Sequence, residues 1–500
     1  MAVFRAKVQE HKGLILALAC LAQFMVILDV SIVNVALPAI RSSLGFSASN
    51  LQWILNAYTL AFAGLLLLGG RLADLFGRRR IFLVGLAIFT IASLTGALSN
   101  SQGVLIASRA LQGLGGAILS PSTLTIITTT FEEGRARAKA LGMWSAVAGA
   151  GGAAGALLGG VLTDLLSWRW IFLINIPIGI IAVIGTLIYL GERKSSSSKR
   201  SLDVVGSVLV TVGVTSLVFG LVSGGEVGWS SLQTLGSFAL SVVLVSLFLL
   251  YEAKGASSPI VPLGLFRLRS LSVSNLAMFF VGGAVFASWY FLSLYMQEVL
   301  GYSPLQAGLA FVPQTLAIVV GAQISSRLVT RLGPRPILVV APILSAIGLF
   351  LLHGISANSS YLGTLAIPSV LITLGVGLSF TPLAIAATGG VPREQAGLAS
   401  GLLNTSRQLG GAIGLAGLSA VALAQSNSVQ AAQRAAGHFL THAVINLSLA
   451  SGYGRALEIS ALVALAAAAT ALLLPRSPKR STSSPDSDAF DDHILAVEGI

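Results

Sequence analysis

The chain has 500 residues, of which 55% are hydrophobic and only 10% are charged. Soluble domains carry about 25% charged residues, so this composition excludes a water-soluble protein and predicts an outer surface that faces lipid. The single cysteine, Cys20, excludes a disulfide scaffold. The net charge of +12 would suit nucleic acid, but the Lys and Arg lie in short gaps between apolar runs, which argues against such a partner.

Fourteen apolar runs are long enough to be membrane helices, since crossing a bilayer takes about 20 residues. In chain order they lie near 14–36, 51–70, 81–99, 104–128, 139–162, 170–190, 204–222, 232–251, 271–296, 305–325, 336–353, 361–383, 397–424 and 458–474. The segment 425–457 is predicted to be the longest loop, with room for an amphipathic helix, and residues 476–500 a disordered tail. His438 and His442 have i, i+4 spacing in that loop, but without an acid or a cysteine beside them a solvent-facing surface is favoured over a metal site.

The distribution of basic residues predicts the orientation in the membrane. When the gaps between apolar runs are taken alternately, 24 of the 30 Lys and Arg fall on the side of the two termini. The opposite side holds only Arg41, Arg169, Arg434 and Arg455. Cytoplasmic loops carry the excess of basic residues, so both termini are predicted to be cytoplasmic. The short amino-terminal segment favours a bacterial plasma membrane.

Two pairs of similar segments indicate an internal repeat. The gap at 71–80 resembles 327–336, and four glycines of 142–155 recur in 401–414 at nearly the same offset. The predicted fold is therefore all-α, with an N-terminal six-helix bundle (1–190), two inserted helices with flanking loops (191–270), a C-terminal six-helix bundle (271–475) and the tail (476–500). Parallel halves of this kind build transporters with a cavity between them near mid-membrane.

Three charged residues are predicted to lie deep in the membrane, where ionisable groups are costly and therefore point to function. Asp29 is the only deep acid, and Arg109 and Arg407 are the only deep bases. A rise of ~1.5 Å per residue puts Asp29 and Arg109 at depths that allow them to meet, which favours a role in proton or substrate coupling. The alternative is a static ion pair that ties helix 1 to helix 4.

The glycine-dense segment 142–160 predicts close packing of helix 5, because small residues four apart let two backbones approach. Its formal match to a dinucleotide fingerprint has no βαβ unit around it and is discounted. The sequence contains no phosphate-binding loop, so no ATP and no other cofactor is predicted. The loop 71–80 has two open interpretations: membrane anchoring by its arginines, or a conformational latch built on Asp74.

Four motifs resemble those of the major facilitator superfamily and, within it, the fourteen-spanner drug/proton antiporters. They are LDVSIVNVALP at 28–38, GRLADLFGRRR at 70–80, RALQGLGG at 109–116 and WRWIFLINIPIG at 168–179. The run NTSRQLGG at 404–411 is similar to the family's helix 13. The resemblance covers about 1–475 and departs from the family in helix 5, where Gly-Pro is common and this chain has Gly155-Ala156.

This resemblance implies roles for individual residues. Asp29 and Arg109 would be the proton-coupling pair. The implied gating residues are Asp74, Gly77 and Arg78. The candidates for substrate binding are Asn34, Tyr58, Asn404 and Arg407. For the first three of these, a helix-packing role is an equal alternative, and the sequence assigns Arg407 no clear role.

The predicted function is a secondary transporter that exports hydrophobic or amphiphilic drugs or antibiotics in exchange for protons, by alternating access. Its partners are the small-molecule substrate, protons and the lipid bilayer, and a monomer is expected. The alternative is a carrier of the same fold dedicated to one metabolite. An enzyme or receptor is not predicted, because there is no catalytic cluster or folded cytoplasmic domain. With one deep carboxylate, monovalent cations, neutral amphiphiles or zwitterions are favoured over dications as substrates.

Overall fold

The structure is a computed structural model and describes residues 11–132, 134–191, 202–256, 259–392 and 395–475. Regular structure in these segments is helical throughout. The long helices are α1 (Lys12–Leu44), α2 (Trp53–Phe76), α3 (Arg78–Ala97), α4 (Gln102–Thr130), α5 (Arg135–Leu165), α6 (Asn175–Tyr189), α7 (Val204–Val227), α8 (Leu232–Lys254), α9 (Arg269–Leu294), α10 (Pro304–Leu332), α11 (Pro334–Leu351), α12 (Ala366–Thr388), α13 (Ala396–Ala435) and α14 (His442–Ala471). Short helical segments adjoin α2, α6, α9 and α12 at Asn50–Gln52, Trp170–Leu173, Tyr295–Val299 and Tyr361–Leu365.

Thirteen helical segments of the described chain are long and apolar enough to cross a membrane. α5 is the remaining long helix: it has 31 residues, begins with the basic sequence RARAK, and its apolar part is Ala150–Leu165. The exposed apolar surface of α8 indicates that the outside of the protein faces lipid. Only 17% of its most apolar stretch is buried, and the apolar side chain of Val242 is 66% exposed. The predicted all-helical membrane fold is confirmed.

The helices repeat one packing scheme. In the first part of the chain, α1 packs on α5, α2 on α4 and α3 on α4. Eight helices later, α9 packs on α13, α10 on α12 and α11 on α12. Homologous halves require such a common scheme, which supports two six-helix bundles made of α1–α6 and α9–α14. The domain boundaries at 190, 270 and 475 stay a prediction.

The two inserted helices pack on each other, and α7 also lies against α2 and α13, one helix from each bundle. Leu60 of α2, Val218 of α7 and Ala416 of α13 belong to one apolar cluster. The contact with α2 is close at Gly64, where an added Cβ would lie 2.0 Å from Thr211 Oγ1. The inserted pair therefore covers the groove between the two bundles at α2 and α13.

Glycines in α5 and α13 allow the close helix crossings that the sequence predicts for helix 5. A Cβ at Gly159 would lie 2.7 Å from a backbone oxygen of α1, and a Cβ at Gly160 would lie 2.7 Å from the Pro304 oxygen of α10. In α13, a Cβ at Gly410 would lie 1.9 Å from the Phe279 oxygen of α9. Because the backbone of a packed helix cannot move aside, only glycine fits these crossings.

The predicted long loop at 425–457 is wrong: α13 and α14 extend into it and leave only the turn 436–441. The polar side chains that suggested a loop instead pair across the two helices. Ser426 Oγ donates to the Ser448 backbone oxygen at 3.0 Å, and Gln430 Nε2 donates to Ser448 Oγ at 3.1 Å. A polar stretch can continue a helix when its side chains are satisfied against a neighbouring helix.

The two histidines of this segment share no helix face. His438 lies in the turn, whereas His442 is the first residue of α14. Within the part of the chain that the structure describes, no group of three or more His, Cys, Asp and Glu could hold a metal ion. The segment predicted to be a tail, 476–500, lies outside the described residues.

Candidate functional site

Asp29 and Arg109 meet inside the first bundle. Asp29 lies in α1 and Arg109 in α4, and their side chains are 0% and 1% exposed. Arg109 Nη1 donates to Asp29 Oδ2 in an ion pair, and Arg109 Nε donates to the Ile54 backbone oxygen of α2 at 3.0 Å. Two charges buried this deeply are tolerated only when each satisfies the other. The structure thus brings together the two residues that the sequence singles out for coupling.

Two amides complete the surroundings of the carboxylate. Gln112 Nε2 donates to Asp29 Oδ1 at 2.9 Å, and Asn175 Nδ2 donates to the same oxygen at 3.2 Å. Gln112 Oε1 accepts from Arg109 Nη1 at 2.8 Å, and its Nε2 also donates to Ser93 Oγ at 2.7 Å. The network joins α1, α3, α4 and α6 around one negative charge. Neither amide was expected from the sequence, although both lie within the RALQGLGG and WRWIFLINIPIG motifs.

Aromatic rings cover the Arg109 guanidinium. Its Cζ lies 4.5 Å from the ring centroid of Tyr58 in α2 and 5.8 Å from that of Phe172, distances at which a cation interacts with a ring face. Tyr58 is buried, and its hydroxyl has no hydrogen-bond partner among the described residues. A buried hydroxyl without a partner costs free energy, so this group is a polar atom that the closed bundle leaves unsatisfied.

A narrow cavity lies beside this network, at the boundary between the two bundles. It is lined by Val30, Asn34, Leu55, Tyr58, Thr59, Arg109, Phe286 and Trp289. The last two residues belong to α9, so both bundles contribute. Asn34 Nδ2 donates to the Val30 oxygen of its own helix at 3.0 Å, whereas Trp289 Nε1 has no hydrogen-bond partner within the described segments. Apolar walls with a few polar groups are typical of small-molecule sites.

The other two candidate substrate residues lie elsewhere. Asn404 and Arg407 are on α13, where Arg407 Nη2 donates to Asn404 Oδ1 at 2.8 Å. Depth along the two helices can be compared from the rise of ~1.5 Å per residue. Arg407 is roughly 15 Å closer than Arg109 to the end of the molecule where α13 begins. The structure therefore places Asn34 and Tyr58 in the cavity wall, and Asn404 and Arg407 at a different depth.

The loop predicted to act as a gate is a sharp turn between α2 and α3. Gly77 joins the two helices with a φ of 94°, a conformation that residues with a Cβ rarely adopt. Arg78 is the first residue of α3, and Arg79 Nη2 donates to the Leu187 backbone oxygen of α6 at 2.9 Å. Asp74 belongs to α2, but its side chain lies outside the described residues. A gating role for Asp74, Gly77 and Arg78 stays a prediction.

The two bundles are held together at the end of the molecule that carries Arg41, which we name the Arg41 end. Arg41 Nη1 in α1 donates to Glu298 Oε1, just after α9, at 2.7 Å, and Tyr453 OH in α14 donates to Glu298 Oε2 at 3.0 Å. Beside this ion pair, Ser293 Oγ donates to the Asn34 backbone oxygen at 2.7 Å. These contacts join α1 to α9. The sequence puts Arg41 and Glu298 on one side of the membrane but does not show that they meet.

Removing the negative charge of Glu298 is expected to loosen the Arg41 end. The ion-pair side chains are 31% and 14% exposed, and pairs in such positions contribute up to about 1 kcal/mol, or about a fivefold shift in population. In a Cys20→Ser, Ser293→Cys background, Glu298→Gln should therefore raise the rate of maleimide labelling by about fivefold. Glu458→Gln is the control, because its ion pair lies within α14. Equal labelling rates in the two variants would contradict this expectation.

Comparison with known proteins places the chain in a family. The family model of the Major Facilitator Superfamily matches residues 19–415. Over 403 residues the chain is 46% identical to the cephamycin export protein CmcT of Amycolatopsis lactamdurans, covering 80% of this chain and 83% of that protein. Over 412 residues it is 39% identical to the puromycin resistance protein pur8 of Streptomyces alboniger, covering 82% of this chain and 81% of that protein.

A solved structure shares the fold over nearly the whole chain. The crystal structure of an auto inhibited POT family peptide transporter superposes with a TM-score of 0.68, covering 96% of this chain and 99% of that one, at 16% sequence identity. At this identity the likeness concerns the fold alone. The chain therefore belongs to the Major Facilitator Superfamily, and its expected kinship with drug-exporting members of that superfamily is confirmed.

Proposed function

We propose that this protein is a secondary transporter that exports hydrophobic or amphiphilic compounds, antibiotics among them, in exchange for protons. Two similar proteins are named for cephamycin export and puromycin resistance, which supports the export of antibiotics. The observation that carries the exchange is Asp29, a fully buried carboxylate whose partner Arg109 lines a cavity between the bundles. A group that can gain and lose a proton beside a substrate cavity is the minimum that proton exchange requires.

In the proposed cycle Asp29 carries the proton. While the bundles are closed at the Arg41 end, the carboxylate is ionised and paired with Arg109. When the cavity opens at that end, water reaches the pair, and a proton adds to the carboxylate and breaks the ion pair. Arg109 keeps its hydrogen bonds to the Ile54 and Gln112 oxygens, and the water that has entered solvates its charge. Opening at the opposite end then releases the proton on the other side of the membrane.

The same step changes how α1 is held. In the ionised state Asp29 attaches α1 to α4 through Arg109 and to α6 through Asn175. α1 also carries Arg41 and the Asn34 oxygen, both of which are bound from the α9 side at the Arg41 end. Protonation therefore acts on a helix that joins the two bundles, which is a physical route from proton binding to alternating access.

We also propose that the Arg41 end faces outward and that both termini face the cytoplasm of a bacterial cell. The excess of Lys and Arg at the opposite end supports this orientation. The bundles 1–190 and 271–475 then rock about the cavity between them. The turn at Gly77, with Asp74 and Arg78 beside it, forms the gate at the cytoplasmic end.

Proton movement in proteoliposomes tests the proposal. Purified protein is reconstituted into liposomes that contain a pH-sensitive dye, and neutral, cationic and anionic amphiphiles are added one at a time. An exchanger should change the internal pH when a substrate is added, and protein-free liposomes should not respond. If compounds accumulate without proton movement, the exchange part of the proposal fails. If no compound is transported, the export part fails.

A further inference from the structure

Arg407 is a deep cation without a carboxylate. Its Nη2 donates to Asn404 Oδ1 at 2.8 Å, and its Nε is buried and has no hydrogen-bond partner in the part of the chain that the structure describes. Among the residues that the structure describes, none of the ion pairs involves Arg407. Charged side chains in membrane-spanning helices are costly, and they usually pair or line a pathway for ions or substrates. The open side of this guanidinium therefore points to a ligand.

Two acids that join the helices around the cavity, Asp29 and Glu298, are already engaged in ion pairs. Asp29 is occupied by the cation of Arg109 and by two amides, and Glu298 is bound by Arg41. A cationic substrate finds no open carboxylate in these groups, whereas an anionic substrate finds Arg407. The single deep carboxylate favoured monovalent cations, neutral amphiphiles or zwitterions over dications, an expectation that did not address anionic substrates.

Arg407 lies on a face of α13 that adjoins the cavity wall. Its side chain is only partly buried, and exposure to lipid would leave the charge unsolvated. Gly411 lies one turn further along the same face of α13, and an added Cβ there would lie 2.8 Å from the ring of Phe286. Phe286 lines the cavity together with Tyr58. The face of α13 that carries Arg407 therefore packs against a ring of the cavity wall, one turn from the guanidinium.

The surroundings of Arg407 suit an apolar or aromatic body. Its Cζ lies 5.8 Å from the ring centroid of Phe380 in α12, and Phe380 packs in the same cluster as Trp289 of the cavity wall. Phe286, Trp289 and Phe380 are each partly exposed, which leaves ring surface free for contact. Trp289 Nε1 adds a hydrogen-bond donor that has no partner. Rings beside an open cation favour a molecule with an anionic head and an apolar body.

We infer that Arg407 binds the anionic group, a carboxylate or a sulfonate, of an amphiphilic substrate whose apolar body lies against these rings. The inference rests on the proposed export function, because it takes the cavity as the transport path. Hydrogen bonds from a guanidinium to such a group are charge-assisted and strong. A neutral analogue would leave the cation unpaired. Because this costs free energy, the site should discriminate sharply between the anion and its neutral analogue.

Two matched probes test this inference. 1-Naphthalenesulfonate and 1-naphthalenesulfonamide share one ring system, but only the first is charged. Their binding to the full-length protein in lipid nanodiscs is measured by isothermal titration calorimetry. The native protein is expected to bind the sulfonate about 10- to 100-fold more tightly than the sulfonamide, the scale of one charge-assisted hydrogen-bonded contact. Arg407→Gln is expected to reduce this ratio to about one.

Two further variants serve as controls. Arg407→Lys retains the positive charge and should retain part of the preference for the sulfonate. Arg434→Gln removes an exposed arginine from the last turn of the same helix and should leave the ratio unchanged. A preference that persists in Arg407→Gln overturns the inference. If Arg407→Gln does not fold, the native protein still tests the inference, because equal binding of the two probes by the native protein also overturns it.

The proteoliposome assay separates the anion site from the proposed function. If some amphiphile moves protons but the sulfonate binds no better than the sulfonamide, the exchange function stands and the role of Arg407 falls. If no compound moves protons but the charge preference is present and depends on Arg407, the anion site stands and the exchange function falls.

Discussion

Asp29→Asn is expected to abolish proton-coupled transport. Asparagine has nearly the same shape as aspartate but takes up no proton, so exchange should fall by about 100-fold or more, the scale on which a proton-transferring side chain acts. The measurement is the substrate-driven pH change in proteoliposomes at equal amounts of reconstituted protein. An Asp29→Asn protein that still moves protons at the native rate would remove Asp29 from the mechanism.

A second variant separates coupling from a static ion pair. Asp29→Asn leaves Arg109 as an uncompensated buried charge, which costs about 3–5 kcal/mol, so the unfolding temperature must be measured along with transport. The double variant Asp29→Asn/Arg109→Gln removes that charge and should recover part of the lost stability. If the pair couples protons, exchange stays absent in the double variant. If the pair only ties α1 to α4, transport returns with stability.

Gly160→Leu is expected to prevent closure at the Arg41 end. A Cβ at this position of α5 would lie 2.7 Å from the Pro304 oxygen and 3.0 Å from Leu305 Cα, both in α10 of the other bundle. Overpacking of this kind costs about 1–3 kcal/mol, so the closed state should lose about 5- to 150-fold in population. Export should fall with it, because alternating access requires closure at each end in turn.

A distance across the Arg41 end measures this effect directly. Spin labels at Ser43 and Asn358, which are exposed on the two bundles, should move apart in Gly160→Leu when both are introduced in a Cys20→Ser background. Gly142→Leu is the matched control on α5, because nothing lies within 4 Å of an added Cβ there. An unchanged distance in Gly160→Leu would show that the crossing of α5 and α10 does not set closure.

Polar segments near helix ends were the hardest part of the fold to predict. The stretch after 424 contains Gln425, Ser426 and Gln430, and its polarity suggested a loop. In the structure these side chains hydrogen-bond to α14, for example Ser426 Oγ to the Ser448 oxygen at 3.0 Å, so the helix continues. Hydropathy reports the cost of entering lipid, but it carries no information about polar groups that are satisfied by another helix.

The amino-acid sequence alone determined that this is an all-helical membrane protein, and it singled out Asp29 and Arg109. Both results follow from one physical fact: charge is so costly in lipid that spanning helices need long apolar runs, and the few deep charges stand out. The glycines of helix 5 predicted a close crossing for a similar reason, since a backbone contact tolerates no side chain. Each of these features lies within one segment of the chain, so it can be recognised from the sequence without knowing which helices are neighbours.

Only the tertiary structure decided which polar groups meet. It placed Gln112 and Asn175 on the carboxylate of Asp29, and within the described segments it gave Arg407 an amide partner but no carboxylate. Such partnerships depend on the rotation and tilt of helices that are far apart in the chain, and a hydrogen bond is lost when its groups move apart by about 1 Å. This geometry separates the paired cation, Arg109, from the open one, Arg407, although the two look alike in the sequence.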